Sequence, residues 1–394
     1  MSRNSAANSK QQGVFRVIKG RIKDLFTVEV YEDLARKIKS VYPAFDSEGF
    51  IQQIFCPEWG ELEMAKRIRH SAAVLDRFLP DDYIRAVDIL TKALAQFTEA
   101  HWRTPLDTPA AMLFPAYIDL RGLEDWETSE KAMHAITPYA SCEITVRPFI
   151  EKYGHEMIRR MTAWADSDSE YIRRLASEGT RISIPMGPDL KFVKDNPETI
   201  LPLLDKLMCD PSEDVRKSVA NNLNEMSKSA KRLMLDFCKA WLGKNKETDK
   251  IIKHALRTLL KNGDAEAMAM FGMNKPEGIS IEALVCDKHV DIGGALHFSF
   301  HIVNSSGNPQ KIRIGYDLCL PGAYGKMNLN KVRISERLCP SGKIAIERKH
   351  PIVNTSARTL KPGESMVKIT INGEIMAEEE FLLKPTESPA QSFI

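Results

Sequence analysis

The chain has 394 residues, 43% hydrophobic and 27% charged, which excludes a largely disordered protein and leaves room for two or three folded domains. Its 55 basic and 53 acidic side chains give a formal charge of only +2, so any grip on a polyanion has to come from local clustering of basic residues. Seven scattered cysteines form no CxxC pair and no cysteine–histidine cluster, the opening MSRNSAANSKQQ is polar, and no run of 18 apolar residues occurs. A reducing cytoplasm is expected, with neither a leader nor a membrane span.

After a flexible segment over 1–20, apolar spacing of the 3.6-residue type predicts helices of ten to fifteen residues from about 21 to 274. VEVYEDLARKIKSVY, ELEMAKRIRHSAAVLDRFL, DYIRAVDILTKALAQF and ETILPLLDKLM are examples. Further along, SCEITVRPFI (141–150) predicts the end of a helix, with Cys142, Val146 and Phe149 toward the core. Glu143 then lies on another side, four residues from Arg147. That spacing allows a simple ion pair between the two.

The second half of the helical region repeats. DSEYIRRLASEG (168–179) and PSEDVRKSVANN (211–222) superpose through S-E-x-[I/V]-R-[R/K], and DKIIKHALRTLL (249–260) is a looser echo. Signature basic residues fall at Arg173, Arg216 and Lys253, a spacing near 40 that predicts HEAT-like helix pairs stacked into a curved solenoid. The signature helices would line its concave side. Five residues after each signature base stand Glu178, Asn221 and Thr258, all polar.

In the first repeat Ile172, Leu175, Ala176 and Gly179 make an apolar stripe, leaving Arg174, Ser177, Glu178 and Arg181 on a second face. Glu178 either pairs with an arginine on a solvated surface or belongs to a working polar face. Basic residues concentrate along these repeats: Arg173, Arg174 and Arg181, then Arg216 and Lys217, then Lys253, Arg257 and Lys261 at i, i+4, i+8. Such clustering suits phosphate groups, whose neutralisation releases counterions. With Arg147 and Asn221 they make up a set suited to a polyanion such as DNA, the other reading of each run being a solvated helix face.

Beyond FGMNKPEG (271–278) the pattern turns to alternating runs, ALHFSFHIV, KIRIGYDLCL, MVKITING and EEEFLLKP, separated by SSGNP, PSG and KPGES. These predict an antiparallel immunoglobulin-like β-sandwich over 275–385, followed by a loose tail over 386–394. The expected fold is thus an all-α solenoid of HEAT-like repeats followed by a small all-β sandwich. Signatures for serine hydrolases, phosphate loops, zinc proteases and zinc deaminases are missing from the sequence, and neither a metal nor an organic cofactor is expected.

Taken together, EITVRPFI, RRLASEGTR, DPSEDVRKSVANNLNE and KHALRTLLKNGD resemble the DNA alkylation-repair glycosylases of the AlkC/AlkD type, the AlkC branch more closely. HFSFHIVN, RKH and LKPGES resemble the immunoglobulin-like module of one AlkC subgroup. The resemblance implies an enzyme of the bacterial cytosol, a monomer acting on double-stranded DNA, that excises cationic N3-alkylated bases such as 3-methyladenine and 3-methylcytosine without full base flipping. It also implies catalytic carboxylates at Glu143 and Glu178, and a further acidic position at Glu225, where aspartate is usual. Met186 occupies the place of an expected lesion-contacting aromatic residue, and Pro138, Tyr139 and Ala140 replace basic and aromatic residues. Met186 and Glu225 motivate an alternative, a non-catalytic HEAT-repeat scaffold that binds DNA or protein. Arg174 and Arg181 flank Glu178, which suits an electrostatic stabiliser or water-positioning base rather than a proton donor.

Overall fold

The computed structural model of the protein describes residues 22–97, 109–185, 187–355 and 358–386. The expected flexible segment 1–20, Met186 and residues 387–394 of the expected tail lie outside the described residues. By compactness the chain divides into Met1–Ala230 and Lys231–Ile394, so the division falls inside the helical region rather than at its end.

The first unit is helical. It begins with α1 (Val28–Val41), α2 (Ser47–Ile54), α3 (Met64–Phe78) and α4 (Tyr83–Leu94), and continues with α5 (Leu113–Arg121) and α6 (Trp126–Ile136). Local chemistry sets their starts: Asp46, Asp82 and Asp125 each accept a backbone N–H three residues ahead, at 3.1, 2.7 and 3.1 Å. Periodicity sets their faces. In α1 the buried residues are Tyr31, Leu34, Ala35 and Ile38, one stripe of a 3.6-residue repeat.

Next come α7 (Val146–Tyr153), α8 (His155–Trp164), α9 (Glu170–Gly179), α10 (Lys191–Asp195), α11 (Leu201–Leu207) and α12 (Glu213–Met226). The repeat signature now has a structural meaning. Its serine is the helix N-cap, since Ser169 and Ser212 give their carbonyls to Arg173 N and Arg216 N, both at 3.1 Å. Its arginine folds back over the incoming loop. Arg173 Nη1 donates to Ser167 O and Asp168 O, both at 2.9 Å, and Arg216 Nη1 donates to Asp210 O at 2.7 Å and Pro211 O at 2.9 Å. Consecutive repeats are then clamped, because Arg173 also grips the buried Asp210 through Nε at 2.7 Å and Nη2 at 3.1 Å.

The second unit opens with α13 (Lys231–Trp241), α14 (Lys246–Ala255), α15 (Arg257–Asn262) and α16 (Ala265–Ala269). The continuous basic stripe expected of Lys253, Arg257 and Lys261 is corrected here, because the helix is interrupted at Leu256 (φ −83°, ψ 3°). Strands β1 (Ile279–Cys286), β2 (His289–Asp291), β3 (Ala295–Asn304) and β4 (Gln310–Pro321) follow. They are completed by β5 (Met327–Cys339), β6 (Gly342–Pro351), β7 (Gly363–Ile371) and β8 (Glu374–Lys384). One sheet runs β1-β3-β6 and the other β2-β8-β7-β4-β5. All pairings are antiparallel except that of the three-residue β2 with β8. Alternate residues face inward, so Phe298, Phe300 and Ile302 of β3 pack with Ile312, Ile314, Tyr316 and Leu318 of β4. Among the described residues, no helix is long and apolar enough to cross a membrane.

Candidate active site

Glu178 lies on the last turn of α9 and is only 6% exposed. The polar face that the sequence assigns to this helix is therefore turned inward. Ser177 and Glu178 meet Ser218 of α12, whose hydroxyl donates to Glu178 Oε2 at 2.6 Å and lies 3.0 Å from Ser177 Oγ. Glu178 Oε1 accepts from Arg181 Nη1. Asn222, one turn beyond Ser218, donates to Ser177 O at 2.8 Å and to Thr180 Oγ1 at 2.9 Å. Arg181 Nε and Asn222 Oδ1 are buried without a hydrogen-bond partner among the described residues, a polarity that a fully satisfied structural network would have consumed.

Glu143 stands in a turn just before α7 rather than near a helix end, with its side chain 27% exposed. Ser141 Oγ donates to its Oε2 at 3.1 Å, and Arg174 Nη1 and Nη2 both reach that oxygen at 3.4 Å. The simple pair expected between Glu143 and Arg147 is thus replaced by one to Arg174. This joins the two carboxylates, since Arg174 and Glu178 are one turn apart on α9, about 6 Å of helix rise. A glycine permits the approach: a Cβ at Gly179 would lie 2.5 Å from Val146 Cγ1, so only glycine lets the end of α9 reach the start of α7.

Arg147 is a correction. It was expected to contact DNA, yet it is 1% exposed and spends its guanidinium on backbone carbonyls. Nη1 donates to Arg181 O at 2.6 Å and Gly179 O at 3.4 Å, Nη2 to Pro188 O at 2.7 Å and Ile182 O at 2.8 Å, and Nε to Pro188 O at 3.1 Å. Burial pushes its pKa below the ordinary arginine value, with nearby Asp189 and Glu151 opposing. Its work is to hold the backbone at Gly179, Arg181, Ile182 and Pro188 in place. Arg173 is corrected likewise, since its donors go to Asp210 and to loop carbonyls; Arg216 repeats the loop clasp.

The remaining expected residues are spread out. Glu225 lies seven residues along α12 from Ser218, about 10 Å of rise, and pairs with Lys228 at 2.6 Å. Lys217 is exposed and reaches Glu213 at 2.9 Å, while Asn221 is half-buried beside it. In the second unit Lys253 pairs with Glu336, Arg257 Nη1 donates to His254 O at 2.9 Å, and Lys261 is exposed.

One carboxyl group escaped the sequence reading. Asp119 of α5 follows Pro115 by one turn, and Pro115 O accepts the Thr145 hydroxyl at 3.3 Å, which sets Asp119 beside the turn carrying Glu143. Asp119 is open to solvent on one side and enclosed by protein elsewhere. That enclosure pushes its carboxyl up to about 6, against the lowering hydrogen bond from Thr145. The available signal was a lone acid within the otherwise apolar LFPAYIDL.

A model of the DNA alkylation repair enzyme family matches residues 81–268. Residues 280–385 match a model described as the C-terminal Ig-like domain of the uncharacterised protein YhaZ. Over 362 residues the chain is 35% identical to an uncharacterized protein YhaZ of Bacillus subtilis strain 168, a match spanning 91% of this chain and 98% of that one. Among solved structures it is similar to Pseudomonas fluorescens alkylpurine DNA glycosylase AlkC bound to DNA containing an abasic site analog. There the TM-score is 0.84 at 28% identity, covering 93% of this chain and 100% of the other.

Proposed function

Because the chain belongs to the DNA alkylation repair enzyme family, in the branch with a YhaZ-type C-terminal immunoglobulin-like domain, we propose that it is a DNA glycosylase. Its substrates are cationic N3-alkylated bases, 3-methyladenine and 3-methylcytosine, in duplex DNA. The observation that carries this reading is the linked pair Glu143 and Glu178, each accepting from a serine hydroxyl and an arginine. Surroundings made of hydrogen-bond donors suit anions that offset positive charge. They do not suit a proton donor.

N3 alkylation leaves the base cationic, so no acid has to protonate the leaving group. As the C1′–N bond breaks, its electron pair neutralises the base and positive charge moves onto the sugar. A fixed carboxylate nearby stabilises that charge more in the transition state than in the ground state. Water then adds to C1′ and loses its proton to a carboxylate. Glu143, the more exposed acid, approaches the sugar; Glu178, held by Ser218 and Arg181, contributes field from behind. Unit charges about 4 Å apart at an effective dielectric near 20 interact by roughly 4 kcal/mol, and a thousandfold acceleration needs about 4 kcal/mol. Glu225 is a further acid along α12, and Lys217, Asn221, Lys253, Arg257 and Lys261 are the proposed contacts to the phosphate backbone.

Purified protein should release 3-methyladenine from methylated duplex DNA, with Glu143→Gln and Glu178→Gln each slowing release by about 100- to 1000-fold without loss of folding. Wild-type rates in both variants would remove the assigned roles. The second reading, a DNA-binding scaffold without chemistry, draws on the close compensation of Glu178 by Arg181. Salt-sensitive DNA binding with no abasic product would establish it instead.

A further inference from the structure

The second unit contains a crevice of about 540 Å³ between α15 and the face of β4, β5 and β7, a size in the range of small-ligand sites. Five cationic side chains line it: Arg257 and Lys261 from the helix, and Arg313, Lys331 and Arg333 from the strands. The acids that face them are few. Asp317 lies 3.7 Å from Lys331, and Glu336 is shared among Lys253, Arg313 and Arg333. With Arg257 set aside, the four cations Lys261, Arg313, Lys331 and Arg333 face two carboxylates, so positive charge is in excess in the recess. Thr258 and Thr370 add hydroxyl groups to the lining.

The walls are fixed by backbone contact. Gly263, which ends α15 at φ +79°, and Gly373, in the β7–β8 turn at φ +86°, touch directly; a Cβ at Gly263 would lie 2.6 Å from Gly373 Cα. Only glycine serves at both points. The neighbouring Asn372 locks the β4 wall, accepting from Arg313 N at 2.6 Å and donating to Asn274 O at 2.6 Å. Burial also holds Arg313 below the ordinary arginine range, with Glu336 opposing and Arg333 adding to the depression, so an anion here would relieve mutual repulsion.

We propose that this crevice is an oxyanion site that takes phosphate groups, Lys261, Lys331 and Arg257 supplying charge and the arginines of β4 and β5 supplying forked donors. The phosphates come either from a DNA backbone or from a free phosphate compound. With DNA as the source, the inference rests on the DNA-binding part of the function proposed above, not on base release; with a free compound it rests on neither.

Pyrophosphate binding by the full chain, followed by calorimetry at low salt, and undamaged-duplex binding across a salt series test both sources. A Lys261→Gln/Lys331→Gln double variant should bind pyrophosphate at least tenfold more weakly than wild type. It should also lower the salt slope of duplex binding by about 2, whereas Lys92→Gln on α4 should change neither. Loss of pyrophosphate binding with an unchanged slope supports the site and assigns it to free phosphate compounds. A lowered slope without pyrophosphate binding supports it and assigns it to DNA. The proposal is overturned if the double variant matches wild type in both measurements. Neither readout depends on base release, so inactivity toward methylated DNA would refute the glycosylase reading while leaving this result standing.

Discussion

Replacing Arg147 with methionine separates two roles for a residue that the sequence places four positions after Glu143, a proposed catalytic carboxylate. The side chain is 1% exposed and its guanidinium serves the carbonyls of Gly179, Arg181, Ile182 and Pro188. Gly179 is also the end of α9, where a cation is favoured by the helix dipole. Methionine fills much of the volume but takes the donor from the carbonyls of Gly179, Arg181 and Pro188, while Ile182 O keeps the Leu190 N–H at 2.8 Å; each lost bond costs about 1–3 kcal/mol if buried, and the avoided burial of a charge returns part of the loss. The expected net destabilisation is about 3–5 kcal/mol. Urea unfolding should show it as a lower midpoint, and hydrogen exchange should accelerate over 179–190 first. Base release should fall with it, because Arg181 and the end of α9 lose their support. The salt slope of DNA binding should not change. A variant that keeps its unfolding midpoint and instead loses a unit of salt slope would show that Arg147 contacts phosphate and that the loop holds itself.

Three further outcomes follow from the same geometry. Arg173→Met leaves the buried Asp210 unpaired and should destabilise the first unit by about 3 kcal/mol with DNA affinity unaltered; Asp210→Asn in the same background should recover part of that loss in thermal melts. For Asp119 the folded protein holds its proton up to about pH 6 while the unfolded chain loses it near 3.8, so stability falls as pH rises through that window. The Asp119→Asn variant should be less pH-dependent between pH 4 and 6, by about 1 kcal/mol after discounting for solvent screening at its open side, and an unchanged stability–pH profile would count against the enclosed carboxyl. Gly373→Ala places a methyl group against Gly263 at positive φ and should cost about 2 kcal/mol, read as a lower melting temperature of the full chain; a neutral substitution would mean that the two turns do not touch.

What the sequence by itself determined is the order of helices and strands, because period 3.6 and period 2 are written in which residues are apolar. It also determined the repeat: the 43-residue offset between Arg173 and Arg216 matches two helices that start on serine and fold an arginine back over the incoming loop. Only the tertiary structure decided what those polar residues face. Apolar spacing says that Ser177 and Glu178 are off the hydrophobic stripe, but an off-stripe residue can meet water or another polar helix, and here it meets Ser218 from 40 residues away. The same limit applies to charge. Arg147 looks like a partner for Glu143 four residues before it, yet Arg174 takes that place from 31 residues away, and Arg147 turns to carbonyls brought in by the loop after α9. Asp119 likewise acquires its raised pKa from neighbours that fold around it. Hydrogen bonding and desolvation depend on distances across the chain, and a linear pattern records only spacing along it.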